Sequence, residues 1–163
     1  MVFFFGVRGF GSGDGSGNFA FTGHGVTVYD ASSGDIIREI TFGDGTGITI
    51  NDCLVTKRGV YCTDSFNPDL YKIVLERGGL LSLTPVVEKI PMPGFNMVEG
   101  FNANGLVGQF DGRQLVIVNI ATGVLYRVDT ASGEASPLEI DGTELLFPNG
   151  DGLYLDGRTL YIM

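Results

Sequence analysis

Three segments of this sequence begin with an asparagine and carry, seven residues on, a charged residue followed by glycine. They run from Asn51 to Gly59 (NDCLVTKRG), from Asn104 to Gly112 (NGLVGQFDG) and from Asn149 to Gly157 (NGDGLYLDG). The amide oxygens of Asn51, Asn104 and Asn149, with the carboxylates of Asp52 and Asp151, make a donor set that suits a hard, oxygen-preferring cation such as calcium. The same asparagines suit a second role, in which each amide bonds its own loop as an Asx turn. Threefold recurrence fits both, because a repeat reproduces its turn chemistry as well as its site. Both readings stay open on the sequence.

The other reactive residue types are sparse. Cys53 and Cys62 are separated by an odd number of residues across a hairpin turn, so strand pairing sets both on one face. A disulfide in an exported chain and a pair of buried thiols both fit that placement. His24 is the sole histidine. That excludes multi-histidine metal sites and argues against a Ser-His-Asp hydrolase. The glycine-rich run 9–17 has G-x-G spacings without a helix signal after them, so it reads as a loop and not as a phosphate cradle. Asp111-Gly112 and Asp156-Gly157 read as hairpin turns.

Positioning three such segments requires a repeat. Their first residues lie 53 and 45 positions apart, close to a propeller blade of about 40–50 residues. Downstream anchors keep pace: Asp64 precedes Leu70-Tyr71-Lys72-Ile73 as Asn119 precedes Leu125-Tyr126-Arg127-Val128. Short apolar runs between turn residues, continuous at 3–7 and alternating at 36–42, predict strands at 3–7, 26–30, 36–42, 53–56, 60–64, 70–75, 86–90, 106–110, 115–119, 125–129, 136–140, 153–155 and 160–163. Residues 10–25 read as a Gly/Ser-rich loop holding His24. The expectation is an all-β chain, a β-propeller fragment of about three four-stranded antiparallel blades, with no substantial helix. As one partial domain, residues 1–163 divide into units 3–50, 51–103, 104–148 and an incomplete 149–163. A partial chain is expected because strands are interrupted at both ends, and closed propellers use four to eight blades.

Bulk properties exclude several classes. The 163 residues carry a net charge of −9, and the ten basic residues do not cluster, so a nucleic-acid backbone would be repelled. Charged residues make up only 18% of a 44% hydrophobic chain, which is globular composition. No apolar run is long enough to span a membrane, and residues 1–7 are too short for a signal-peptide core.

Several segments resemble the senescence-marker-protein/gluconolactonase (regucalcin-like) family of six-bladed propellers. They are Phe101-Asn102-Ala103-Asn104-Gly105-Leu106, Phe110-Asp111-Gly112-Arg113, Thr122-Gly123-Val124-Leu125-Tyr126-Arg127-Val128-Asp129 and Asn149-Gly150-Asp151-Gly152-Leu153, together with Ile50-Asn51-Asp52 and Tyr61-Cys62-Thr63-Asp64-Ser65. The likeness covers nearly the whole chain and looks closest to an often exported branch, which implies an extracellular location. It implies a divalent metal in the central channel, usually calcium, and metal-dependent hydrolysis of a lactone or ester substrate. Asn104 matches the metal-ligating asparagine, and Asn51 matches a channel asparagine that contacts water or substrate. Asn149 aligns with the family's ligating aspartate, and Asp151 takes that place as ligand or catalytic base if the register slips by two. The family's glutamate ligand would fall in a blade outside this chain. A non-catalytic propeller of the NHL type, binding a protein or carbohydrate through its loops, is the alternative.

Overall fold

Short turns joining short apolar runs dictate antiparallel pairing. The structure is a computed structural model that describes residues 3–13, 19–109 and 111–163, and every helix or strand among them is a strand. The chain is thus all-β, in two compact units, Met1–Ile50 and Asn51–Met163.

In the first unit β1 (Phe3–Gly13), β2 (Phe19–Asp30) and β3 (Ile36–Thr41) form one antiparallel sheet in that order. This corrects the loop expected at 10–25. The ladder passes a bulge, from Arg8↔Gly25 to Phe10↔Thr22, and continues to Gly13↔Phe19. Glycine and serine conceal the alternation that marks a strand, but their backbone groups pair as any residue's do. Residues 14–18 of the glycine-rich run lie outside the described residues, as do residues 1, 2 and 110.

The second unit repeats one plan. β4 (Ile50–Thr56), β5 (Gly59–Asp64), β6 (Asp69–Ile73) and, after a small hairpin of β7 (Leu75–Glu76) with β8 (Leu80–Leu81), β9 (Val87–Pro91) make a four-stranded sheet in the order β4-β5-β6-β9. The next sheet is β10 (Ala103–Gly108), β11 (Gln114–Asn119), β12 (Leu125–Asp129) and β13 (Ala135–Pro137), in chain order. The strand expected at 136–140 divides here. Leu138 N still bonds Leu125 O at 2.8 Å, in register with the β12–β13 ladder, and beyond it β14 (Glu139–Ile140) pairs with β15 (Thr143–Glu144) around Asp141-Gly142. Both turn residues have positive φ, 53° and 75°, which an Asp-Gly pair accepts. β16 (Leu153–Asp156) and β17 (Thr159–Ile162) form the last hairpin.

Strand alternation gives each blade two apolar faces. Leu115, Ile117, Tyr126 and Val128 pack with Tyr61, Leu70 and Met92 of the preceding blade. Val118, Leu125 and Val107 pack with Leu153, Leu155 and Leu160 of the following hairpin. Phe95 is buried with its ring 4.5 Å from that of Tyr126. Burial of this kind contributes about 1.5–3 kcal/mol per large side chain.

Candidate functional site

The turns set where the first strand of each blade begins. Asn119 ends β11, and its Oδ1 accepts the amides of Ala121 (3.0 Å) and Thr122 (3.2 Å). Gly123 closes that loop at φ 75°, its amide bonding Asn119 O. Asp30 to Gly34 and Asp129 to Gly133 repeat this device, each aspartate accepting two backbone amides and each glycine bonding back to the aspartate's carbonyl. These bonds hold both carboxyls below the usual carboxylate range, chiefly through Ser32 for Asp30 and Ser132 for Asp129. Asx chemistry thus falls on turn aspartates, Asp44 and Asp111 among them, and on Asn119.

The second strand of one blade meets the first strand of the next through a buried polar seam. Thr63 Oγ1 donates to Asn104 O at 2.8 Å, and Ser65 Oγ donates to Ala103 O at 2.9 Å. Asn102, 1% exposed, accepts the Val98 amide and donates to the carbonyls of Val98 and Gly100. Gly105 N donates to Asp151 O at 2.9 Å, joining β10 to the start of the third hairpin. Sequence reasoning missed Thr63, Ser65 and Asn102 as positioning residues, since they belong to no motif beyond their blade.

Pairing defines which residues are equivalent. Cys53 and Cys62 face each other across their hairpin, joined by a disulfide with sulfurs 2.06 Å apart. Leu106 pairs with Ile117, and Leu153 with Ile162. Two positions before Cys53, Leu106 and Leu153 stand Asn51, Asn104 and Asp151. Asn149 lies two residues further back, exposed, at φ 62° in a turn where Gly150 N bonds Phe147 O at 2.9 Å. The strand register thus sets Asp151 beside the first two asparagines. A bulge between Ala103 and Leu106 gives β10 one extra residue there, a device that re-aims a side chain.

Each of these three groups keeps oxygen to spare. Asn51 Nδ2 donates to Ser65 Oγ at 3.1 Å, which leaves its Oδ1 as a directed acceptor. Asn104 is 4% exposed, and its side-chain amide has no hydrogen bond among the described residues. Asp151 uses its backbone N and O in pairing, with Met163 and Gly105, while its residue stays exposed. Next to them, Asp52 accepts the amides of Cys53 (2.8 Å) and Leu106 (3.1 Å), tying two blades together. Burial pushes the Asp52 carboxyl above the usual range and the charge of Asp151 adds to this, against the pull of those two amides. Asp52 and Asp151 are therefore electrostatic neighbours. Among the described residues no three His, Cys, Asp or Glu side chains form a metal-type cluster. His24 is half-buried in β2, under Gly45, with Nδ1 lacking a partner among the described residues. No helix among the described residues is long and apolar enough to cross a membrane.

No family model matches this sequence, and no curated protein matches it. Among solved structures, the chain is similar to the β-propeller domain in the crystal structure of Myceliophteria_thermophila Cps50 (Swd1), at a TM-score of 0.51 and 14% identity. The match covers 83% of this chain and 42% of that one, so the chain spans less than half of its neighbour's length. At this identity the likeness shows the fold, a β-propeller.

Proposed function

We propose that this chain supplies a propeller's ligand-binding mouth, in which Asn51, Asn104 and Asp151 present oxygens to one calcium-class cation or oxygen-rich ligand. The observation that carries this is the equivalence of the three residues: one position, three first strands, and no competing hydrogen bond on Asn104 or on Asn51 Oδ1 among the described residues. A carboxylate with two amide oxygens fits calcium chemically, with solvent completing its six to eight ligands. Asn149 would be a turn former and not a ligand. Titrating the full chain with calcium tests this. A saturable heat, with a melting temperature that rises with calcium concentration, supports the reading, and flat heats end it.

A second reading, metal-dependent hydrolysis of a lactone, is favoured by one observation. Burial raises the Asp52 carboxyl above the usual range beside the exposed Asp151. A buried carboxyl next to a second carboxylate is an arrangement that acid and base roles use. A bound cation would supply polarisation of the ester carbonyl. In this reading Asp151 takes the proton from water, Asn51 orients water or substrate, and Asn104 holds its oxygen at the mouth. This follows the likeness to gluconolactonase-like propellers carried by the segments around Asn104 and Asp151. Turnover of simple aldonolactones that stops on adding chelator supports it. Calcium binding without turnover leaves the binding module alone.

A further inference from the structure

The two complete blades differ at one matched pair. In the first, Lys72 pairs across the ladder with Glu88, and their charged atoms meet at 2.7 Å. The matching cation in the second blade is Arg127, since Lys72 opposes Tyr61 and Arg127 opposes Val116, each the residue after the first core position of its strand. Across from Arg127, however, stands Ser136. The carboxylate has gone while the cation remains.

No ion pair replaces it among the described residues. Among the described residues the Arg127 guanidinium has no ion pair or hydrogen bond. Asp129, on the same face, directs its Oδ1 to the amides of Ala131 and Ser132. Arg127 is exposed and lines a cavity of about 440 Å³ with Arg113, Gln114, Asp111 and Asp129, above an apolar surface of Val116 and Leu155. Arg113 is itself only 3.8 Å from Asp111 Oδ2 and 72% exposed, a loose contact that leaves donors to spare. A second space of about 430 Å³ shares Gln114, Arg127 and Asp129 and extends to Glu134 and Ser136. Such volumes fall within the range of about 300–1,000 Å³ typical of small-molecule sites.

We infer that this cavity binds a small organic carboxylate, which takes on Arg127 the place that Glu88 takes on Lys72. The planar guanidinium accepts a carboxylate through two parallel N–H bonds. Arg113 and Gln114 add donors at the rim, and the body of the ligand lies on Val116 and Leu155. This site is independent of the axial mouth and of calcium.

Titration of the full chain with benzoate in the presence of chelator, followed by amide NMR, tests the inference. Saturable shifts around Arg127 are expected, and benzamide, of the same shape without charge, should give none. Arg127→Gln should weaken benzoate by at least about tenfold, and Arg127→Lys by less, since charge survives without the fork. Ser136→Glu should also abolish binding, because it restores the internal partner of the first blade. Unchanged melting temperatures would show that these variants fold. No saturable benzoate binding, equal binding of benzamide, or binding indifferent to Arg127→Gln and Ser136→Glu would overturn the inference.

Discussion

Gly105→Ala would drive a methyl group into the backbone of the neighbouring strand. A Cβ at position 105 would stand 2.3 Å from Asp151 O, 2.8 Å from Leu153 N and 3.1 Å from Gly152 C. Nonbonded contacts to carbon relax only near 3.5–4.0 Å, so the seam between β10 and β16 must open by roughly 1 Å. That opening breaks the 2.9 Å bond from Gly105 N to Asp151 O. Overpacking costs about 1–3 kcal/mol and the lost bond about 1 kcal/mol, which together give about 2–4 kcal/mol. Gly152 is the control, one position after Asp151 as Gly105 is one after Asn104. There a Cβ meets only the Met163 side chain, with Cε at 3.2 Å and Cβ at 4.0 Å. A flexible side chain can move, so Gly152→Ala should cost under about 1 kcal/mol. Urea denaturation of both variants, followed by tyrosine fluorescence and compared at the midpoint, measures the difference. Equal costs, or a neutral Gly105→Ala, would refute the seam argument.

Three further outcomes follow. Replacing Cys53 and Cys62 together by alanine should lower stability by about 2–3 kcal/mol, the loop-closure value for a separation near nine residues; a protein of unchanged mass after reduction would contradict the bond. Asn119→Ala should cost about 1–3 kcal/mol in the same denaturation assay, because it empties the fully buried Asn119 site and removes the shared partner of the Ala121 and Thr122 amides and the Asn96 carbonyl; a loss below about 0.5 kcal/mol would contradict it. The Asp52 carboxyl should titrate above the usual carboxylate range by carbon NMR, and Asp151→Asn should bring it down by removing a neighbouring charge. Because its folded-state value is raised, the stability linked to Asp52 is complete below the unfolded-state value and is lost as pH rises through the folded one. A midpoint at or below the usual range would refute the burial argument.

Blade β10 to β13 is legible in sequence because Leu115 to Asn119 and Leu125 to Asp129 are short apolar runs that end in residues that cap a four-residue turn. The hairpin of β1 and β2 is not, since its serines and glycines carry no apolar pattern to mark a face. Asn51 and Asn104 were readable as matched positions. Asp151 was not distinguished from Asn149 because the hairpin after Leu153 is two residues tighter than the one after Leu106. Counting back from the shared Asp-Gly therefore aligns Asn149 with Asn104, whereas pairing aligns Asp151. The seam of Thr63, Ser65 and Asn102 depends on contacts 37–41 residues apart, which local pattern does not encode. Nor does spacing reveal that Arg127 faces Ser136 while Lys72 faces Glu88; only the ladder register brings those pairs together.

The shared position of Asn51, Asn104 and Asp151 is tested most directly by calcium calorimetry on four proteins: the unaltered chain, Asn104→Ala, Asp151→Asn and Asn149→Ala. The proposal predicts a saturable heat for the unaltered chain, its loss in Asn104→Ala and Asp151→Asn, and its retention in Asn149→Ala, whose residue sits in a turn at positive φ. Flat heats in the unaltered chain, or a loss in Asn149→Ala equal to that in Asp151→Asn, would contradict it.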